Sequence, residues 1–184
     1  MTSIALDRSR RWLGVGLCSL ALVACGDSAP APTEAQSTPT DAARLAQLEA
    51  SGAIPKLERL PMIEGIDIDR NGVRDDIDAY ITKTYPDDAQ RRAALQMARA
   101  YQAMLLVDKN DERALDEVSR QSFRAIACQK FAFPGDAGRI ASYQMMDELR
   151  SVTTNTKERL QAYLAYNKAR SGSVSVRPEG NTCE

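Results

Sequence analysis

The chain predicts an all-α fold, a small antiparallel helical bundle. Three observations carry that expectation. Apolar residues recur at spacings of three and four through most of residues 86–170, the period of one helix face. Alternation of apolar and polar residues, the mark of a half-buried strand, is confined to residues 173–177. Breaks rich in Gly, Pro and Asp fall between the periodic segments, where helices stop and start.

Residues 41–51 carry Leu45 and Leu48 and read as a short helix ended by Gly52. Residues 53–65 hold Pro55, Pro61 and Gly65, a connector. Residues 67–78 form a turn-rich acidic segment whose last residues open a helix running to Lys83. Pro86 suits the first turn of the next helix, where a missing N–H costs nothing. In that helix Ala94, Met97, Ala98, Tyr101, Met104 and Leu105 fall on one face. Residues 108–111 make a polar turn. Leu115, Val118, Ser122, Ala125 and Ile126 line a further helix expected to end near Cys128. Phe131, Phe133, Pro134 and Gly135 form an apolar elbow. Ala141, Met145, Leu149 and Val152 mark the next helix face. Asn155 with Glu158 reads as a cap for the last helix, whose apolar positions are Leu160, Tyr163 and Leu164, and Gly172 ends it.

The N-terminus points to a compartment. Arg8, Arg10 and Arg11 precede an apolar run from Trp12 to Ala24 that is too short to span a bilayer, so residues 1–24 read as a signal peptide. Leu22-Val23-Ala24-Cys25 resembles the bacterial lipobox. That resemblance implies cleavage before Cys25, acylation of its sulfur and of the new N-terminus, and a membrane partner held through the lipid. Gly26 follows the cysteine where enteric-type sorting places Asp to retain lipoproteins in the inner membrane, so the resemblance leans to the outer membrane of the cell envelope. Ser9-Arg10-Arg11 also resembles a twin-arginine signal, although Gly14 breaks its apolar position. An uncleaved anchor helix is the other alternative. Residues 25–40, mostly Ala, Pro, Ser and Thr, form a disordered tether that cannot build a core. Cleavage would remove three arginines and Asp7, taking the net charge from −1 to −3. That leaves no basic field for nucleic acid. The folded domain is residues 41–184.

Cys128 and Cys183 remain beyond the anchor, and two thiols in an oxidising envelope most simply form one disulfide. The bond would tie the polar C-terminal tail to the bundle. A redox role lacks both a Cys-x-x-Cys spacing and a histidine to activate a thiol.

The segment 67–78 reads Asp-Ile-Asp-Arg-Asn-Gly-Val-Arg-Asp-Asp-Ile-Asp. Oxygen side chains stand at its positions one, three, five, nine and twelve, with Gly72 at six. Calcium needs about six to eight oxygens, and a short loop supplies them only by turning sharply. The segment resembles EF-hand-type loops of the dockerin and thrombospondin type 3 kind, which also end in Asp. By position the resemblance assigns side-chain oxygens of Asp67, Asp69 and Asn71, the Val73 carbonyl, Asp75 directly or through water, and Asp78. Five carboxylates crowd twelve residues, and Arg70 and Arg74 offset only part of that charge. Three departures stand against a sensor: Arg74 replaces an apolar residue at position eight, Pro61 and Gly65 spoil the entering helix, and no second loop exists. The alternative is an acidic turn that caps the following helix without metal.

Catalytic constellations are scarce. The chain has no histidine, no Gly-x-Ser-x-Gly and no phosphate-binding glycine loop. The expected function is therefore a non-enzymatic, lipid-anchored envelope protein with a structural calcium site, presenting a surface to another envelope component. The stretches from Leu48 to Leu57 and from Gly72 to Asp78 resemble proteobacterial lipoproteins of no assigned activity. The alternative is a carboxylate-dependent hydrolase acting on cell-wall polysaccharide or peptidoglycan.

Overall fold

The computed structural model describes residues 40–184. The predicted signal peptide, Cys25 and the tether up to residue 39 lie outside the described residues. Six helices follow in order: α1 (Asp41–Ala50), α2 (Asp75–Thr84), α3 (Asp88–Leu106), α4 (Glu112–Ala132), α5 (Gly135–Thr153) and α6 (Lys157–Ala169). No strand occurs among the described residues, and the all-α bundle is as the apolar period predicts.

The central helix is α3, which packs against α2, α4, α5 and α6. Its small residues Ala93, Ala94, Ala98 and Ala100 are buried, so neighbouring backbones approach closely. Met97, Tyr101 and Met104 fill the remaining space, against Leu115 and Val118 of α4 and Met145 and Leu149 of α5 in one continuous core, and Leu105 is buried as well. Four helices are capped by a side chain at the N-terminus: Thr40 for α1, Asp87 for α3, Asp111 for α4 and Thr156 for α6. α1 buries no residue. Glu49 ties its end to the connector, accepting from Arg59 (2.6 Å) and from the Leu57 amide (3.3 Å).

Six local expectations are corrected. Pro86 precedes the cap instead of sitting in the first turn, because the Asp87 carboxylate takes the Gln90 amide at 2.9 Å and sets the start of α3 at Asp88. α4 continues one turn past Cys128, since nothing breaks it before Pro134 forces Phe133 out of helical geometry. Its inward stripe drifts onto Cys128, Gln129 and Ala132, so Ile126 and Phe131 are exposed while Phe133 is buried, edge-on to Tyr85. On α5 the stripe runs through Ser142, not Ala141. On α6 the inward residues are Arg159 and Tyr166, with Leu160 and Leu164 outside. Residues 173–177 pair with no strand, and Val174 and Val176 are among the most exposed apolar residues described.

Cys128 and Cys183 form a disulfide with Cα atoms 4.8 Å apart. The tail is docked around it. Gln96 Nε2 donates to the Thr182 carbonyl (3.0 Å), Thr182 Oγ1 donates to the Arg124 carbonyl (2.6 Å), and Arg99 pairs with the Glu184 side chain (2.6 Å).

Candidate metal centre

The acidic loop bends because two of its residues adopt left-handed backbone, Arg70 at φ 59° and Gly72 at φ 83°. Such angles are unstrained only at glycine. The bend turns successive amides onto the carboxylates. Asn71 N and Gly72 N donate to the two oxygens of Asp67 at 3.1 and 3.0 Å, and Asn71 N also reaches Asp69 at 3.2 Å. Across the loop, Ile68 N donates to Asp75 at 3.0 Å, and the Asp75 amide donates to the Ile66 carbonyl at 2.9 Å.

This aiming gathers one oxygen from each of Asp67, Asp69 and Asp75 within 4.8 Å of one another. Two unit charges at such distances repel by about 1 kcal/mol in bulk water and about 4 kcal/mol near a protein surface. Donors or a cation must offset that. Asn71 supplies one donor: its Nδ2 lies 3.0 Å from Asp69 and 2.7 Å from Asp78, while its Oδ1 accepts from Val73 N at 2.8 Å. Asp78 therefore joins the cluster through Asn71, and its other oxygen accepts from Thr82 (3.3 Å). Val73 directs its side chain into the core. The donor set is all oxygen, with neither imidazole nor thiolate, which fits a hard divalent cation and not zinc.

Behind the loop lies an arrangement that sequence reasoning missed. Arg74 pairs with none of Asp67, Asp69, Asp75 and Asp78; its partner is the fifth loop carboxylate, Asp76. Arg74 is fully buried, and its Nε and Nη2 form a two-pronged pair with Asp76 at 2.9 and 2.8 Å. Its remaining donors reach the Val152 and Thr153 carbonyls at the end of α5 (both 3.3 Å) and Asn155 Oδ1 (3.2 Å). Arg159 is likewise fully buried. It pairs with Glu58 (2.9 Å), donates to the carbonyls of Glu58, Met62 and Ile63, and meets the same Asn155 Oδ1 at 2.9 Å. Asn155 is thus a bridge between two guanidinium groups, and its own Nδ2 holds the Glu58 carbonyl at 2.8 Å. The cap of α6 passes to Thr156.

Each arginine has all five of its N–H donors directed at acceptors, the condition for burying a charge without severe cost. The network fastens the connector and the loop exit to the α5–α6 turn. Burial works to raise the Asp76 and Glu58 carboxyls. Asp76 is nevertheless held below the usual carboxylate range by Arg74 and the Glu58 amide, and Glu58 by Arg159 and the Ile66 and Leu60 amides. Gly65 allows the arrangement. At φ 69° it tolerates its backbone, and a Cβ there would stand 2.3 Å from Arg74 Cδ and 2.6 Å from a Glu58 oxygen.

Two signals pointed to this network. Arg74 occupies the loop position where an apolar residue is expected, and Arg159 shares a helix face with Tyr163 and Tyr166, at spacings of four and seven. No family model, no curated protein and no solved structure gives a significant match to this chain. The class that fold and site define is therefore an all-α domain carrying one acidic, oxygen-donor loop braced by a buried arginine network.

Proposed function

We propose that this is a non-enzymatic envelope protein, anchored through acyl chains on Cys25, whose helical domain holds one structural calcium ion and presents a surface to another envelope component. The observation that carries the metal is the convergence of Asp67, Asp69 and Asp75 oxygens within 4.8 Å on a loop whose exit is fixed to the core. Asp67, Asp69 and Asp75 would hold the ion, with Asn71 and Asp78 able to turn oxygens toward it. The ion would supply charge neutralisation, joining the two arms of the loop. Calcium is favoured over magnesium because the donors are many and adjustable, whereas magnesium keeps its waters and demands octahedral geometry. The anchor rests on the lipobox resemblance.

The test is fractionation of cells expressing the full chain or Cys25→Ser, paired with melting curves in calcium and in magnesium. The wild-type protein should be acylated and sediment with membranes, and the variant should be released. Calcium at ten times its Kd should stabilise the domain by about 1.4 kcal/mol, or about 3 to 5 °C. A variant that stays in the membrane fraction with its signal uncut removes the anchor. A melting curve indifferent to calcium removes the metal.

A further inference from the structure

We propose that the C-terminal tail gates the acidic loop: Glu184 holds Arg99 off the calcium site, and reduction of the Cys128–Cys183 disulfide releases Arg99 to compete with the ion. The inference rests on the calcium reading above and names how that site is regulated.

Arg99 stands on α3 where the loop and the tail meet. Its stem passes over the loop, since a Cβ built on Gly72 would lie 3.4 Å from Arg99 Cγ and 3.5 Å from its Cδ. Arg99, Gly72 and Asp67 line one open cavity, and the Gly72 amide donates to Asp67 at 3.0 Å. The guanidinium nevertheless pairs with none of the loop carboxylates. Its Nη2 donates to Glu184 at 2.6 Å, its one carboxylate partner among the described residues. Carboxylates thus lie on two sides of this side chain, and the one in the tail holds it.

An ion at Asp67, Asp69 and Asp75 would meet Arg99 in two states. With Glu184 engaged, the guanidinium is neutralised and its donor is occupied. With Glu184 gone, an unpaired cation stands beside Asp67, repels the ion and can itself take an oxygen that the ion needs. Both effects weaken calcium, and neither requires a helix to move.

An exposed ion pair is too weak to position a tail by itself. Glu184 is kept in place by its neighbours. Cys183 is bonded to Cys128 of α4, and Thr182 is bridged to Gln96 of α3 and Arg124 of α4. The disulfide is therefore the control point. Cys183 is exposed and Cys128 is buried, so an incoming thiolate reaches the Cys183 sulfur first. A dithiol reductant attacks there, its sulfur bonds to Cys183, and Cys128 leaves as a thiolate that takes up a proton. The second thiol of the reductant then displaces Cys183. The protein gains two thiols, and the reductant leaves as a disulfide.

The experiment measures calcium affinity of the full chain by equilibrium dialysis, oxidised and after reduction with excess dithiothreitol, for the wild type, Glu184→Gln and Arg99→Gln. Reduction and Glu184→Gln should each weaken calcium about fivefold, the scale of one unit charge acting on a divalent ion across several ångströms of solvent. Combined, they should weaken it no further, because both release the same side chain. Arg99→Gln should bind calcium equally well oxidised and reduced, which a merely structural role for the tail does not give. Glu184→Gln keeps the disulfide, so it tests the gate even where the reduced chain fails to fold. An affinity unaffected by Glu184→Gln overturns the proposal. So does a weakening on reduction that persists in Arg99→Gln, because the loop would then respond to the tail by another route. Calcium bound equally by every form removes the gate and leaves the metal, whereas no calcium bound by the oxidised wild type removes both.

Discussion

At the scale of single residues, Gly65 and the two buried arginines control whether the acidic loop has a fixed base. Gly65→Ala would strain a left-handed backbone and drive a methyl into Arg74, which is walled in on all sides. Overpacking of that kind costs about 1 to 3 kcal/mol in addition to about 1 kcal/mol for the backbone. Gly52→Ala is the natural control: φ is 73°, yet nothing lies within 4 Å of the added carbon, so only the backbone term applies. Chemical denaturation of the two variants should therefore separate them by at least about 1 kcal/mol, Gly65→Ala being the weaker. Equal losses would mean that Arg74 is free to move aside. Arg159→Met should cost more, about 3 to 5 kcal/mol, because it leaves Glu58 charged and half-buried without its partner. Adding Glu58→Gln to Arg159→Met should recover part of that loss, which a purely steric role for Arg159 does not predict.

The same residues show where sequence reading reaches its limit. Asp67, Asp69, Asn71, Gly72, Asp75 and Asp78 were legible because their relations are local, decided within a dozen residues by a turn and by amides next in the chain. Arg74 was legible only as an anomaly. Its partners at Val152 and Asn155 lie about eighty residues away, and the connector partners of Arg159 about a hundred, so no spacing rule could pair them. Local capping chemistry suggested Asn155 as a helix cap, but two guanidinium groups compete for the same side-chain oxygen, and Thr156 one residue on serves the helix.

At the scale of elements, the helices followed from their apolar period, while their faces were set by neighbours. α6 illustrates this. Leu160 and Leu164 invited an inward assignment on hydrophobicity, yet the charged connector docks where Arg159 faces, and the helix turns by one position to meet it. The tail is the element least specified by local sequence. Ser173 to Arg177 alternates as a strand should, but the described residues include no strand to pair with it, and the segment is held by the Ser175–Ser119 hydroxyl contact (3.1 Å), by Ser173 on the Arg170 carbonyl and by the disulfide beyond it. The Cys128–Cys183 bond closes a separation of 55 residues. On the chain-entropy view it stabilises the fold by about 4 kcal/mol. Reduction, or Cys183→Ser, should lower the melting temperature by about 10 °C and shift the resonances of Thr182 and its neighbours as the tail undocks. Unchanged chemical shifts at Thr182 after reduction would show that Gln96, Arg124 and Arg99 keep the tail in place without the disulfide.

At the scale of the whole molecule, titration of the buried pairs sets the pH range of stability. Glu58 and Asp76 have carboxyls depressed in the folded state, so their stabilisation is present above the ordinary carboxylate range and is lost as pH falls through the folded values. Melting temperature should hold from neutral pH down to about 5 and decline below about 4. On the alkaline side, burial and Glu148 push the Tyr80 phenol up to about 12, and burial with Glu148 raises Tyr85 as well. A raised phenol gives stability that is complete below its unfolded value and lost as pH climbs through the folded one, so the decline should begin above about pH 10. Arg159→Met with Glu58→Gln should make the acid limb shallower by the share of Glu58, with that of Asp76 remaining, and leave the alkaline limb as it was. A parallel loss on both limbs would place the acid sensitivity elsewhere.

Calcium binding by the loop from Asp67 to Asp78, as proposed above, is read out by equilibrium dialysis of the full chain against labelled calcium. One ion per chain should bind with a Kd on the order of 10⁻⁴ to 10⁻³ M, the range of extracellular sites. Magnesium should compete poorly, and Asp67→Ala with Asp69→Ala should eliminate the bound label while the disulfide and helical content persist. No bound calcium at concentrations on the order of 10 mM, well past that range, would contradict the claim and leave the loop as an acidic turn held together by Asn71 and the first residues of α2.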